Sequence, residues 1–108
     1  MAEEFKLSAV AITSTNSTAV VPATTIATAM VRSITLCNKS TSATSSVDVQ
    51  MFVASESVSY FLFRYTQVTA SQTLLPLTTP VVVTAGNELR ATRQGEDIDA
   101  TATYLELS

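Results

Sequence analysis

The sequence has no histidine and no tryptophan, and among its 108 residues there are one cysteine (Cys37), two glycines (Gly86 and Gly95) and three prolines. Enzymes usually rely on a general base near neutral pH, an activated nucleophile, or a metal held by His or Cys. Cys37 ends an alternating apolar segment without a neighbouring imidazole, so it reads as a buried structural thiol. No serine lies in a G-x-S-x-G or S-x-x-K setting. The expectation is a non-enzyme with no catalytic residues and no cofactor. A single cysteine also excludes an intramolecular disulfide framework, so the fold does not rely on an oxidising compartment. The acidic opening Met1-Ala2-Glu3-Glu4-Phe5-Lys6 lacks the apolar stretch of a secretory signal. No apolar run approaches the ~20 residues of a membrane helix. Assembly in a cytoplasm, with no membrane partner, is the expectation.

Charge is also scarce. Only 14% of residues are charged, against roughly 25% in typical soluble domains. The net charge is −3, and the six basic residues (Lys6, Arg32, Lys39, Arg64, Arg90, Arg93) are scattered. A phosphate backbone needs clustered Lys and Arg, so nucleic acid is not an expected partner. A surface of Ser and Thr hydroxyls stays hydrated without charge and desolvates against a partner at lower cost. Hydrophobic residues make up 46% of the chain, but only 6% are aromatic. With Ala and Val facing inward, two sheets would pack closely around a thin core. Burial stabilises by only ~25 cal/mol per Å² of apolar area, so oligomerisation is a natural supplement.

What the sequence does contain is strand after strand. Phe5 to Thr13 alternates, and Ser14-Thr15-Asn16-Ser17 forms a polar turn. Thr18 to Val21 is a short strand stopped by Pro22. Ile26 to Cys37 is the longest candidate; strict alternation puts Met30, Arg32, Ile34 and Leu36 on one face and Ala29, Val31, Ser33, Thr35 and Cys37 on the other. Asn38 to Ser45 reads as a Ser/Thr loop. Val47, Val49, Met51 and Val53 alternate with Asp48, Gln50 and Phe52. Val58 to Val68 carries four of the seven aromatic residues. Leu74 and Leu75 precede Pro76, and further strands follow at Val81 to Val83, Glu88 to Thr92 and Ile98 to Leu107, the last with Ile98, Ala100, Ala102 and Tyr104 on one face. Gly86 suits a positive φ in the Ala85-Gly86-Asn87 turn. Residues 23–30 carry a weak helical alternative, opposed by their β-branched residues. The fold class expected is all-β: one antiparallel β-sandwich over residues 1–108, jelly-roll or Ig-like, with about eight strands, little or no helix, and residues 1–4 as a short arm.

Two constellations stand out. Glu96, Asp97 and Asp99 form the only carboxylate cluster, but the spaced oxygen ligands of a calcium loop are missing, and a solvated turn is the reading. Tyr60, Phe61, Leu62, Phe63, Arg64 and Tyr65 form the one segment with excess apolar content. Alternation places Phe61, Phe63 and Tyr65 on one face and Tyr60, Leu62 and Arg64 on the other. A single core absorbs only one such face. Either the second meets another subunit, as Tyr and Arg at interfaces do, or a loop or the N-terminal arm covers it. An aromatic platform for sugars is a further reading, weakened by the lack of Trp.

Three segments carry a resemblance. Val31-Arg32-Ser33-Ile34-Thr35-Leu36-Cys37-Asn38 with Val47-Asp48-Val49, then Val83 to Ala91, then Ile98 to Glu106, resemble the opening, the glycine turn and the closing strand of small β-sandwich virion proteins of tailed bacteriophages. Asn87 departs from that pattern, which favours Asp there. The resemblance implies a structural subunit of the virion, with capsid decoration foremost and a neck, tail, baseplate or fibre position as alternatives. The partners it implies are other copies of the chain and other virion proteins, such as the major capsid protein.

Overall fold

The computed structural model describes residues 3–24 and 27–107, and all regular structure among them is strand. The nine strands are β1 (Glu3–Ile12), β2 (Thr18–Val21), β3 (Thr28–Asn38), β4 (Ser45–Val53), β5 (Val58–Val68), β6 (Thr73–Leu74), β7 (Val81–Val83), β8 (Glu88–Gln94) and β9 (Ile98–Leu107). They form two antiparallel sheets packed face to face as a β-sandwich. The first has the order β1-β9-β3, with β6 and β7 both pairing along the far side of β3. The second has the order β2-β8-β4-β5. Part of the segment weighed as helical, Thr25 and Ile26, lies outside the described residues; Thr28 onward is strand. Glu3 and Glu4 do not form an arm, because they pair with Leu107 and Glu106 in β1. Met1 and Ala2 lie outside the described residues.

The core follows from the alternation. Ile12, Val20, Val31, Ile34, Leu36, Val47, Val49, Leu89 and Ile98 are fully buried. Ala91, Ala100 and Ala102 are buried among them, and Tyr104 is the one aromatic of the buried core. Ile98, Ala100, Ala102 and Tyr104 do share the inward face of β9, as their spacing indicates. The inward side chains are mostly Val and Ala.

Strict alternation fails in β3. Its register against β9 shifts between Val31 and Ser33, with Arg32 as the extra residue. The bulge reverses the phase: Ala29 and Val31 face inward before it, and Ile34, Leu36 and Asn38 after it. A bulge leaves one residue unpaired and turns every later side chain to the other face. Met30 and Arg32 therefore do not share a face with Ile34 and Leu36. Cys37, expected to be buried, is half-buried on the outward side.

Asn38, read above as the first loop residue, is instead the last residue of β3 and is only 2% exposed. Its Nδ2 donates to the carbonyls of Ala43 (2.8 Å) and Val68 (2.9 Å). Its Oδ1 accepts from the Ser40 amide at 2.9 Å. Arg93 performs a similar function where β1 and β8 leave their ladders. It donates to the carbonyls of Ile12, Thr13 and Gly95 and pairs with Asp97 at 2.9 Å. Gly95 has φ +108°, and a Cβ there would lie 3.0 Å from the Thr44 carbonyl oxygen. Gly86 has the positive φ its turn required.

Replacing Asn38 with Ala would leave the Val68 and Ala43 carbonyls without this donor. Each buried polar group left unsatisfied costs roughly 1–3 kcal/mol, so Asn38→Ala should lose about 3 kcal/mol. Urea denaturation followed by circular dichroism checks this; a loss below about 1 kcal/mol would mean that water replaces the amide freely.

Candidate functional site

β5 is an edge strand, and its path departs twice from regular pairing. Its register against β4 shifts between Val47 and Val49 and again between Val49 and Gln50. Val49 lies opposite Phe63 and Gln50 opposite Phe61, leaving Leu62 as an extra residue. Val47 lies opposite Thr66, so Arg64 and Tyr65 together oppose Asp48. Tyr65 takes φ +55°, unusual for an aromatic residue. Its amide donates to Asp48 Oδ1 at 2.6 Å, so the adjacent strand's carboxylate holds the bulge.

These two bulges overturn the face assignment expected for the segment. Leu62 and Phe63, adjacent in sequence, both pack against the core. Tyr60, Phe61 and Tyr65 stay exposed, by 52%, 49% and 63%. The Arg64 guanidinium carbon lies 4.8 Å from the ring centres of both Phe61 and Tyr65. Arg64 Nη2 also donates to the Tyr65 hydroxyl at 3.2 Å. Of the six residues singled out, the structure brings Phe61, Arg64 and Tyr65 into one exposed cluster. Tyr60 stands apart and donates its hydroxyl to Glu56 at 2.5 Å. The N-terminal strand does not cover this surface, since β1 and β5 lie at opposite edges of the sandwich. On the same outer face, Arg90 stacks on Phe52 at 3.8 Å and pairs with Glu88.

The acidic turn has partners of its own. Asp97 pairs with Arg93, Asp99 with Lys39 at 3.4 Å, and the Glu96 carbonyl accepts from Ser45. An open polar cleft of about 420 Å³ lies between this turn and Lys39, Ser40 and Thr41.

A second surface went unnoticed in the sequence. Register places Phe5, Leu105, Met30 and Val82 in one row across β1, β9, β3 and β7. Phe5 is 75% and Leu7 69% exposed. The rest of this outer face is mostly Ala, Ser and Thr, with Ser33 and Thr103 sharing a hydroxyl hydrogen bond of 2.6 Å. The alternation of Phe5 and Leu7 with Lys6 and Ser8 was visible as strand. Which set faces outward depends on the pairing with β9.

The Glu56 carboxylate, by accepting the hydrogen bond and by its charge, raises the Tyr60 pKa above its ordinary value of 10.0. Glu56→Gln should lower the Tyr60 transition toward that value in an alkaline titration followed at 295 nm. An unchanged curve would show that the Tyr60–Glu56 contact does not persist in solution.

No family model matches the chain, and no curated protein matches it. Among solved structures, the nucleoplasmin-like N-terminal domain of Drosophila FKBP39 superposes with a TM-score of 0.54 and 11% identity. The match covers 96% of this chain and 91% of that one. At this identity the likeness shows the fold alone: a two-sheet β-sandwich followed over nearly the whole length of both chains.

Proposed function

We propose that the chain is a non-enzymatic structural subunit of a tailed-phage virion, a capsid decoration protein that binds the assembled shell and other copies of itself. The observation that carries this reading is the exposed Phe61–Arg64–Tyr65 cluster on the guarded edge strand of an otherwise charge-poor sandwich. Aromatic and arginine side chains are the residues that dominate binding energy at protein interfaces. Resemblance in the β3, β7–β8 and β9 segments supports the virion context. The hydroxyl-rich remainder suits a subunit enclosed by neighbours, at low desolvation cost.

A sugar-binding platform fits this geometry less well. Stacking requires open ring faces, and the Arg64 guanidinium already lies against both Phe61 and Tyr65. Among positions in the particle, shell and tail differ in copy number, so quantifying the chain per particle separates decoration from a neck, tail or baseplate place.

Replacing Phe61 and Tyr65 together with Ser should abolish incorporation into particles while the purified chain stays folded. Loss of a buried aromatic anchor costs roughly 2 kcal/mol or more, about thirtyfold in affinity for each. The check is quantitative gel analysis of particles assembled with wild-type or variant protein. Undiminished incorporation would remove this cluster as the attachment surface. Leu62 and Phe63 are left intact in the test because they support the core.

A further inference from the structure

We infer that the chain pairs with a second copy of itself through the free edge of β1, antiparallel about a two-fold axis at Ser8, with Phe5 and Leu7 of each copy covering the Ala9–Ala11 groove of the other. This goes beyond the reading above, which assigns no surface to self-contact, and it does not depend on the particle.

The edges of the two sheets are not equivalent. β5 is guarded by two bulges and by a backbone amide already donated to Asp48. β2, β6 and β7 are only four, two and three residues long. β1 is different: ten residues pair with β9 in unbroken register, from Glu3 opposite Leu107 to Ile12 opposite Ile98. It contains no proline, glycine or bulge, and among the described residues no strand pairs with its other side. Such an edge presents a row of backbone donors and acceptors to another strand. Lys6, the residue best placed to guard it, is drawn toward Glu106 (3.6 Å) and Glu4 (3.9 Å) on its own sheet.

The side chains of β1 select a second copy as the occupant. Along its outward face run Phe5, Leu7, Ala9 and Ala11, large at one end and small at the other. The small end forms an apolar groove of about 330 Å³ lined by Ala9, Val10, Ala11, Asp99, Ala100 and Thr101. Antiparallel pairing of two identical strands sets the large end of each against the small end of the other. Side-chain period 2 allows only registers that keep outward residues together. With Ser8 on the axis, Phe5 meets the partner's Ala11 and Leu7 meets the partner's Ala9. In this register Glu4 faces the partner's Ile12 and Lys6 the partner's Val10, so no like charges oppose. Sliding by two residues toward the N-terminus would set the two Lys6 side chains closer and put Leu7 against Leu7. One strand junction lies at the small end of specific interfaces, below roughly 1,200 Å² in total, so the pair should dissociate on dilution.

Sedimentation velocity on the full chain, across a concentration series, should show a monomer–dimer equilibrium. Leu7→Lys should weaken it at least roughly tenfold, because the ammonium would be desolvated against the partner. Leu7 is exposed in the single chain, so an unchanged circular dichroism spectrum is expected. Val58→Lys, exposed on the opposite edge and outside the Phe61–Arg64–Tyr65 cluster, should leave the dimer intact. In a Cys37→Ser background, Ser8→Cys should form a disulfide-linked dimer under mild oxidation, whereas Lys6→Cys should not. A chain that stays monomeric at its highest soluble concentration would overturn the inference. So would a dimer indifferent to Leu7→Lys, or crosslinking through Lys6→Cys as readily as through Ser8→Cys. None of these outcomes bears on attachment through Phe61 and Tyr65, which is read on particles.

Discussion

The side-chain amide of Asn38 is the contact on which the closed end of the sandwich depends. It sits at the end of β3, in one sheet, and donates to Val68, the last residue of β5, in the other. Its second donor and its acceptor organise the 39–44 connection between β3 and β4. The backbone here leaves one sheet to enter the other, and peptide groups leaving a ladder need new partners. A carboxamide supplies donor and acceptor from one small planar group, so one residue satisfies both the loop and the strand end. An aliphatic residue of similar size would fill the space and leave the carbonyls unpaired.

Bulges then decide what the two outer faces present. The one at Arg32 reverses β3, so that Ile34 and Leu36 enter the core while Met30 stays in the outward row with Phe5, Leu105 and Val82. The pair in β5 sends Leu62 and Phe63 to the core and turns Phe61, Arg64 and Tyr65 outward. One sheet consequently offers aromatic and arginine side chains. The other offers an apolar row and a field of hydroxyls. The sandwich thus carries two chemically distinct outer faces.

Much of the fold was legible in the sequence. Thr18–Val21, Val58–Val68, Val81–Val83 and Ile98–Leu107 have in the structure the bounds their alternation and flanking prolines indicated. The inward row of β9 was equally plain, because nothing interrupts its period. Legibility ended wherever an extra residue entered a strand. Arg32, Leu62 and Tyr65 carry no glycine or asparagine to mark a bulge, and each owes its place to a partner distant in sequence: Tyr104, Val49 and Asp48. The candidate segment was therefore found by composition, while the division of its six residues between core and surface was not. Asn38 was misjudged for a related reason. Asparagine ordinarily begins a turn, and its bond to the Val68 carbonyl, thirty residues away, is a contact that local spacing does not show.

The left-handed backbone at Tyr65 has a consequence for recognition. Asp48 belongs to β4, an interior strand of its sheet, so the ring is oriented through a hydrogen bond to one of the chain's firmer elements. Arg64, bracketed by two rings, loses rotamer freedom in the same arrangement. A flexible arginine or tyrosine surrenders roughly 0.5–1.5 kcal/mol of side-chain entropy when a partner immobilises it. Here that ordering already accompanies folding. Contact with a matching surface can then be brief to form and slow to break, with few internal degrees of freedom left to freeze.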